Sequence, residues 1–367
     1  MAEELRIPDV LELSDGTRVG GVGKWEKLRR EEILELFTRE VYGRVPFRTK
    51  CVKIEPHGAG KKIYNGTVIQ QKSRITAIAE HGMFSFPVWL YYPSGVEQSF
   101  PVFVYCMLRT QAEQYDLDGE EHMSFVPVEE ITARGYAVVI YRVTDIAPDE
   151  YDGFQSGVFA ALDQPRGRDS WGTIAAWAWA GSRVMDYICS DTKCFDPSRA
   201  CIVGHSRGGK TALWCGACDP RYSLVVSNNS GCTGAAISRG KQGEDIAAIN
   251  TQFPHWFCEN YKCYNGQEAL LPVDQHMLLS LIAPRRLYVT SASEDLWADP
   301  EKEIESCRLA SAVYRLYGEK GLKAPVKIEL NKQYGDGCIA YHRREGAHRL
   351  TEFDWKLFMD YADRYIK

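Results

Sequence analysis

The sequence predicts an α/β fold, a mostly parallel sheet covered by helices on both faces and entered through an antiparallel hairpin. Three observations predict it. From residue 100 onward, short apolar β-prone runs alternate with helix-compatible segments. One of these runs enters a Gly-x-Ser-x-Gly turn and leaves it as a helix. Residues 52–92 carry closely spaced β-type runs instead, around a Glu80-His-Gly82 turn.

In chain order, residues 29–41 place Ile33, Leu34, Leu36, Phe37 and Val41 at helical spacing, and Tyr42-Gly-Arg-Val-Pro46 stops that helix. Residues 75–79 and 86–92 form the predicted hairpin. Residues 100–106, 136–141, 200–203, 223–227, 286–291 and 326–330 are the predicted buried strands. Residues 171–188 are the clearest crossover helix, with Ile174, Trp177, Ala180, Val184 and Tyr187 spaced for one face. A terminal helix is predicted near 351–365, with Phe353, Leu357, Phe358 and Tyr361 on its apolar side. Residues 1–367 read as one catalytic domain, with 1–50 as a helical extension packed on it.

The chain of 367 residues can bury a large core. Its net charge of -5 offers no basic excess to neutralise phosphates, which excludes nucleic acid as the main partner. No run approaches the ~18 apolar residues of a membrane span. The start, Met1-Ala-Glu-Glu-Leu-Arg-Ile-Pro8, lacks the basic-then-apolar order of a secretory signal. The 12 cysteines form no compact framework, so free thiols in a reducing, cytoplasmic compartment are expected. Cys215 and Cys218 make a lone C-x-x-C, better read as small buried residues than as metal ligands. Nine Trp and 20 Tyr suit a carbohydrate cleft, but aromatics also fill cores.

The chemistry centres on Gly204-His205-Ser206-Arg207-Gly208. Between strand and helix, this motif forms a turn so tight that the serine sits in a strained conformation with its Oγ exposed. The helix that follows points unpaired N–H groups at the place where negative charge would develop. A serine nucleophile needs a base, and the base needs an acid to orient it. In this fold the chain order is serine, then acid, then histidine, at the C-terminal ends of the strands. Asp295 follows the strand over 286–291 and is the expected acid, with Glu294 and Asp299 as neighbours to eliminate. His348 stands after a glycine turn and just before the terminal helix, and fits the base better than His342. Together these residues predict an α/β-hydrolase three-layer sandwich and a serine hydrolase.

The run Gly204-His-Ser-Arg-Gly-Gly-Lys210 resembles the signature of carbohydrate esterase family 15, the glucuronoyl esterases, and of its bacterial branch in particular. Further segments agree: Asp152-Gly-Phe-Gln-Ser-Gly157, Trp171-Gly-Thr-Ile-Ala-Ala-Trp-Ala-Trp179, Ser227-Asn-Asn-Ser-Gly-Cys-Thr-Gly-Ala-Ala236, Asn250-Thr-Gln-Phe-Pro-His-Trp-Phe257, Leu271-Pro-Val-Asp-Gln-His-Met277, Ile282-Ala-Pro-Arg285 and Glu294-Asp-Leu-Trp-Ala-Asp-Pro300. The resemblance implies a glucuronoyl esterase that cleaves uronic acid esters of lignin-carbohydrate or xylan-derived material. It implies Arg207 at the oxyanion, Lys210 on sugar hydroxyls, Trp297 along the uronate ring, and Gln252 and Glu244 as further hydroxyl ligands. It implies no cofactor and no metal site, with His255 and His276 structural. The carbohydrate ester is the expected partner, with no nucleic acid and no membrane.

One departure stands out. Many family members carry the triad glutamate where this chain has Asn229. An amide cannot balance an imidazolium, so the role falls to Asp295. Two other readings stand beside the uronate esterase: an acetylxylan or other small-ester esterase of the same fold, and a non-catalytic carbohydrate-binding relative. The Ser206, Asp295 and His348 set counts against the second, and nothing resembling a peptidase's gating domain is seen.

Overall fold

The computed structural model describes residues 6–162 and 165–367. Its centre is a nine-stranded sheet in the order β1-β2-β3-β5-β4-β6-β7-β8-β9. The strands are β1 (Cys51–Ile63), β2 (Val68–Ile78), β3 (Met83–Pro93), β4 (Phe100–Met107), β5 (Ala137–Arg142), β6 (Phe195–His205), β7 (Leu224–Asn228), β8 (Arg286–Ala292) and β9 (Ile339–Arg344). The first three run antiparallel, β3 pairs antiparallel with β5, and all pairings from β5 through β9 are parallel. The predicted hairpin is β2–β3, closing with Ile78 opposite Met83.

Period-two alternation sends β4 side chains to two cores. Val102, Val104 and Cys106 join the larger one, with the crossover helix Thr173–Ser190, the helix Arg207–Cys218 and the helix Pro300–Leu316. Phe103, Tyr105 and Met107 face the other, with the helix Val128–Ala133 and the C-terminal helix Glu352–Tyr365. All eight residues of β4 are buried, as a strand covered on both faces requires. The crossover helix is buried on more than one face, because it is wedged between the sheet and the neighbouring helix and loops.

The predicted strand over 326–330 is corrected. That segment is irregular, with Val326 92% exposed. The last strand is β9, whose Ile339, Ala340, Tyr341 and His342 are all buried. Residues 326–330 alternate apolar and charged side chains, yet only Ile328 packs against the core while Val326 and Leu330 stay exposed, whereas Cys338 to Tyr341 is continuously apolar and buried. His342 is thereby a strand residue and not a loop residue.

The N-terminal helical run covers residues 22–42, with π turns at Trp25–Arg29 and Thr38–Tyr42 on either side of the α-helix Arg30–Phe37. Tyr42 stacks on Trp214 of the helix Arg207–Cys218 at 4.3 Å and donates through its hydroxyl to the Thr233 carbonyl at 2.8 Å. This segment braces the loop that follows β7. Among the described residues no helix is long and apolar enough to cross a membrane.

Candidate active site

The strand β6 delivers Ser206 to the C-terminal edge of the sheet. Its backbone lies at φ 57° and ψ -125°, outside the ordinary regions for a serine. The position is over-determined. The Ser206 N–H donates to the Asn228 carbonyl at 2.8 Å, and its own carbonyl accepts from Gly209 and Lys210 as the helix begins. A Cβ at Gly204 would lie 1.8 Å from the Gly208 carbonyl oxygen, so only glycine lets strand and helix come this close. Of the first-turn N–H groups of Arg207–Cys218, those of Gly209 and Lys210 are spent on the Ser206 carbonyl.

Asp295 and His348 come from the loops after β8 and β9. His348 Nδ1 donates to Asp295 Oδ2 at 2.6 Å. The Asp295 side chain is 5% exposed and that of His348 42%. Burial raises the Asp295 pKa, but the hydrogen bond and charge of His348, the Asn229 amide and the Ala298 N–H outweigh it and hold the carboxyl below its ordinary range. The Asn229 Nδ2 donates to Asp295 Oδ2 at 2.9 Å. The side chain at the departing position 229 therefore supports the Asp295 carboxylate. Asp299 is spent as the cap of the helix Pro300–Leu316, accepting from Lys302 and Gln242, and Glu294 is exposed.

His205, beside the serine, packs on His348 with ring centroids 4.6 Å apart. Burial, with the charge of His348 adding to it, pushes its pKa down to about 3. Its Nδ1 donates to Asn228 Oδ1 at 2.6 Å. A neutral ring there sets no like charge against an imidazolium at His348.

Arg207 leaves the serine turn and is tied to Asp149 by a hydrogen-bonded ion pair. Its guanidinium lies 4.8 Å from the Trp256 ring centre and 5.3 Å from that of Phe253. Asp149 also accepts from His255 Nε2 at 3.0 Å and Trp256 Nε1 at 2.7 Å. Burial opposes ionisation of Asp149, yet these donors and the Arg207 charge hold its pKa at about 2. Three donors on one buried carboxylate fix the direction of Arg207.

A cavity of about 290 Å³ joins these groups. Ser206, Arg207, Lys210, Glu244, Gln252, Trp297, Asp295 and His348 all line it. Lys210 is buried, with Nζ donating to the Ser230 carbonyl at 2.6 Å and lying 3.8 Å from Glu244. Trp297 is 56% exposed at the rim. Of the two histidines expected to be structural, His255 holds Asp149 and His276 bonds the Pro8 carbonyl at 2.9 Å.

A family model described as glucuronyl esterase of fungi matches residues 75–318. The chain is 35% identical to the carbohydrate esterase MZ0003 of an unknown prokaryotic organism, over 98% of this chain and 89% of that one. The chain belongs to the glucuronoyl esterase family. A solved glucuronoyl esterase from Solibacter usitatus superimposes with a TM-score of 0.88 at 35% identity, covering 98% of this chain and 97% of that one. A promiscuous CE15 esterase from a marine bacterial metagenome gives 0.87 at 35%, with the same coverage. The 4-O-methyl-glucuronoyl methylesterase 1 of the fungus Wolfiporia cocos is 26% identical over 85% of this chain and 72% of its own. Membership makes the chain a carboxylic ester hydrolase on an α/β-hydrolase fold.

At this site sequence reasoning missed Asp149, Phe253 and Trp256. Asp149 sits in Ala147-Pro148-Asp149, which carries no motif. Its only signal was the neighbouring His255-Trp256, whose two ring nitrogens converge on it.

Proposed function

We propose that the protein hydrolyses esters formed on the carboxyl group of glucuronic acid, through an acyl-enzyme on Ser206. The observation that carries the reading is one cavity holding Ser206, the hydrogen-bonded Asp295–His348 pair and a set of hydroxyl ligands. Asp295 fixes His348 with Nδ1 protonated, which leaves Nε2 to take the Ser206 proton. Ser206 Oγ attacks the uronoyl carbonyl. The tetrahedral oxyanion is met by the N–H groups at the helix start and by the Arg207 guanidinium. His348 returns the proton to the departing alcohol, and water repeats the sequence to release the uronic acid. In the ester the sugar's carboxyl is neutral, so recognition falls to its hydroxyls. Lys210, Glu244 and Gln252 would bond them, and Trp297 would cover the ring.

The test is turnover of benzyl glucuronate against an aryl acetate, with Ser206→Ala as control. Preference for the uronate ester, lost in Ser206→Ala, is expected. Preference for the acetate would overturn the substrate in favour of an acetylxylan or small-ester esterase. No turnover of either would favour a binding relative. We also place the protein in a reducing cytoplasmic compartment, on the strength of its twelve free cysteines. Fractionation of the source cells that found it outside the cytoplasm would overturn that placement.

A further inference from the structure

Behind the acid lies a carboxyl group that the chemistry above does not use. Glu303, in the first turn of the helix Pro300–Leu316, is fully buried. Its Oε1 accepts from the Gly231 N–H at 2.9 Å, and its Oε2 accepts from the Ser291 hydroxyl at 2.6 Å. Ser291 in turn accepts from the Tyr341 hydroxyl at 2.9 Å. Burying a carboxyl costs stability unless it is hydrogen-bonded or paired, and here two donors meet it.

One of those donors belongs to the turn Asn229-Ser230-Gly231. Asn229 and Gly231 are both left-handed, at φ 48° and 56°. Such a turn is held from outside, and each of its residues reaches the site. Asn229 gives its side-chain amide to Asp295 at 2.9 Å. Ser230 gives its carbonyl to Lys210 at 2.6 Å. Gly231 gives its N–H to Glu303 and packs so closely that a Cβ there would lie 3.0 Å from the Ala298 Cα, in the acid's own loop.

The geometry points to Glu303 as a positioning residue of the catalytic machinery: by gripping the Gly231 N–H it fixes the turn that presents Asn229 to Asp295. The inference rests on the proposed assignment of Ser206, Asp295 and His348. The grip depends on ionisation. As a carboxylate, Glu303 accepts both donors, and charge-assisted bonds are the stronger kind. Once protonated, it must make Ser291 an acceptor and holds Gly231 with a neutral oxygen. The ionisable groups facing it are Asp295, Lys241, Tyr341 of β9, and Cys307 one turn along its own helix. Burial pushes its pKa up to about 7; the Ser291 and Gly231 bonds oppose this, Asp295 adds to it and Lys241 opposes it. Glu303 therefore changes charge inside the neutral range.

The test is the rate at which a fluorophosphonate probe labels Ser206 in the full chain between pH 5.5 and 8.5. This reports activation of the serine and needs no uronate, so a wrong substrate leaves it intact. The ratio of wild type to Glu303→Gln should be near one at the acid end and rise about fivefold across neutrality, the size of exchanging a charged acceptor for a neutral one. In an Asn229→Ala background Glu303→Gln should produce no such rise, because the path to Asp295 is already cut. Ser291→Ala keeps Glu303 but removes a donor that favours its charge, so the step should move to higher pH. A ratio independent of pH, the same rise without Asn229, or an unmoved step in Ser291→Ala would each overturn the inference. Labelling that survives Ser206→Ala would overturn the site assignment and this inference with it.

Discussion

Two histidines six residues apart in the chain each pair with an aspartate, and the two pairs sit in opposite surroundings. His342 on β9 is wholly buried. Its Nε2 is bonded to Asp354 at 2.8 Å and to Thr290 at 3.0 Å, and its Nδ1 to the Tyr288 hydroxyl at 2.9 Å. Asp354 is itself closed off by the Thr351 N–H and hydroxyl. His348 has the same kind of partner at 2.6 Å, but its side chain is 42% exposed and faces the cavity shared with Ser206. A carboxylate–imidazole pair is thus not a signature of catalysis. One nitrogen left over, in a cleft beside a nucleophile, is.

The largest expected effects follow from removing what only the exposed pair serves. Ser206→Ala and His348→Ala should each lower kcat by about 10⁶ while the melting temperature holds, since members of such a unit fail together. Retained turnover in either would move the chemistry elsewhere. His342→Ala should show the converse: a loss of about 1.5–3 kcal/mol in unfolding free energy, because the buried Asp354 Oδ1 loses its donor while Thr351 and Arg344 still hold Oδ2, with kcat of the folded fraction near normal. Denaturant melts beside active-site titration would separate the two.

Arg207→Ala should reduce kcat by roughly 10²–10³ with little change in KM, the range for one oxyanion donor. A raised KM with kcat spared would make the guanidinium a ground-state sugar ligand. A smaller effect concerns acid. The His348 bond lowers Asp295, the His342 bond lowers Asp354, and Asp149 is held at about 2, each against the opposing effect of burial. A depressed carboxyl contributes stability that is present above its unfolded value and lost as pH falls through the folded one. The melting temperature should therefore drop between about pH 4 and pH 2. Asp149→Asn should flatten the lower part of that drop, and an unchanged profile would contradict the role given to Asp149.

Ser206 was legible in the sequence because the strand, the glycines and the helix are contiguous, so local sterics define the turn. The pairing of Asp295 with His348 was legible because chain order and strand ends constrain both. The strand over 326–330 is misplaced because the alternation Val326-Lys-Ile-Glu-Leu330 has the period of a strand, and the pairing of Ile339 with Leu287 that decides the matter is a long-range contact. Asp149 and Glu303 were not legible. Each acts through residues far along the chain: Asp149 through Arg207 and His255, Glu303 through Gly231 and Ser291. Asn229 read as a loss in sequence, because only the folded chain brings its amide to Asp295.

The most direct discriminator is a matched pair of isosteric changes, Asp295→Asn and Asp354→Asn, each assayed for kcat on benzyl glucuronate and for thermal stability. Asp295→Asn should lower kcat by about 10⁴, the scale for an imidazole left in the wrong tautomer, with the melting temperature nearly unchanged. Asp354→Asn should lower the melting temperature clearly and spare kcat. The reverse outcome, with kcat lost in Asp354→Asn and kept in Asp295→Asn, would put the working base at His342 and contradict the assignment of His348.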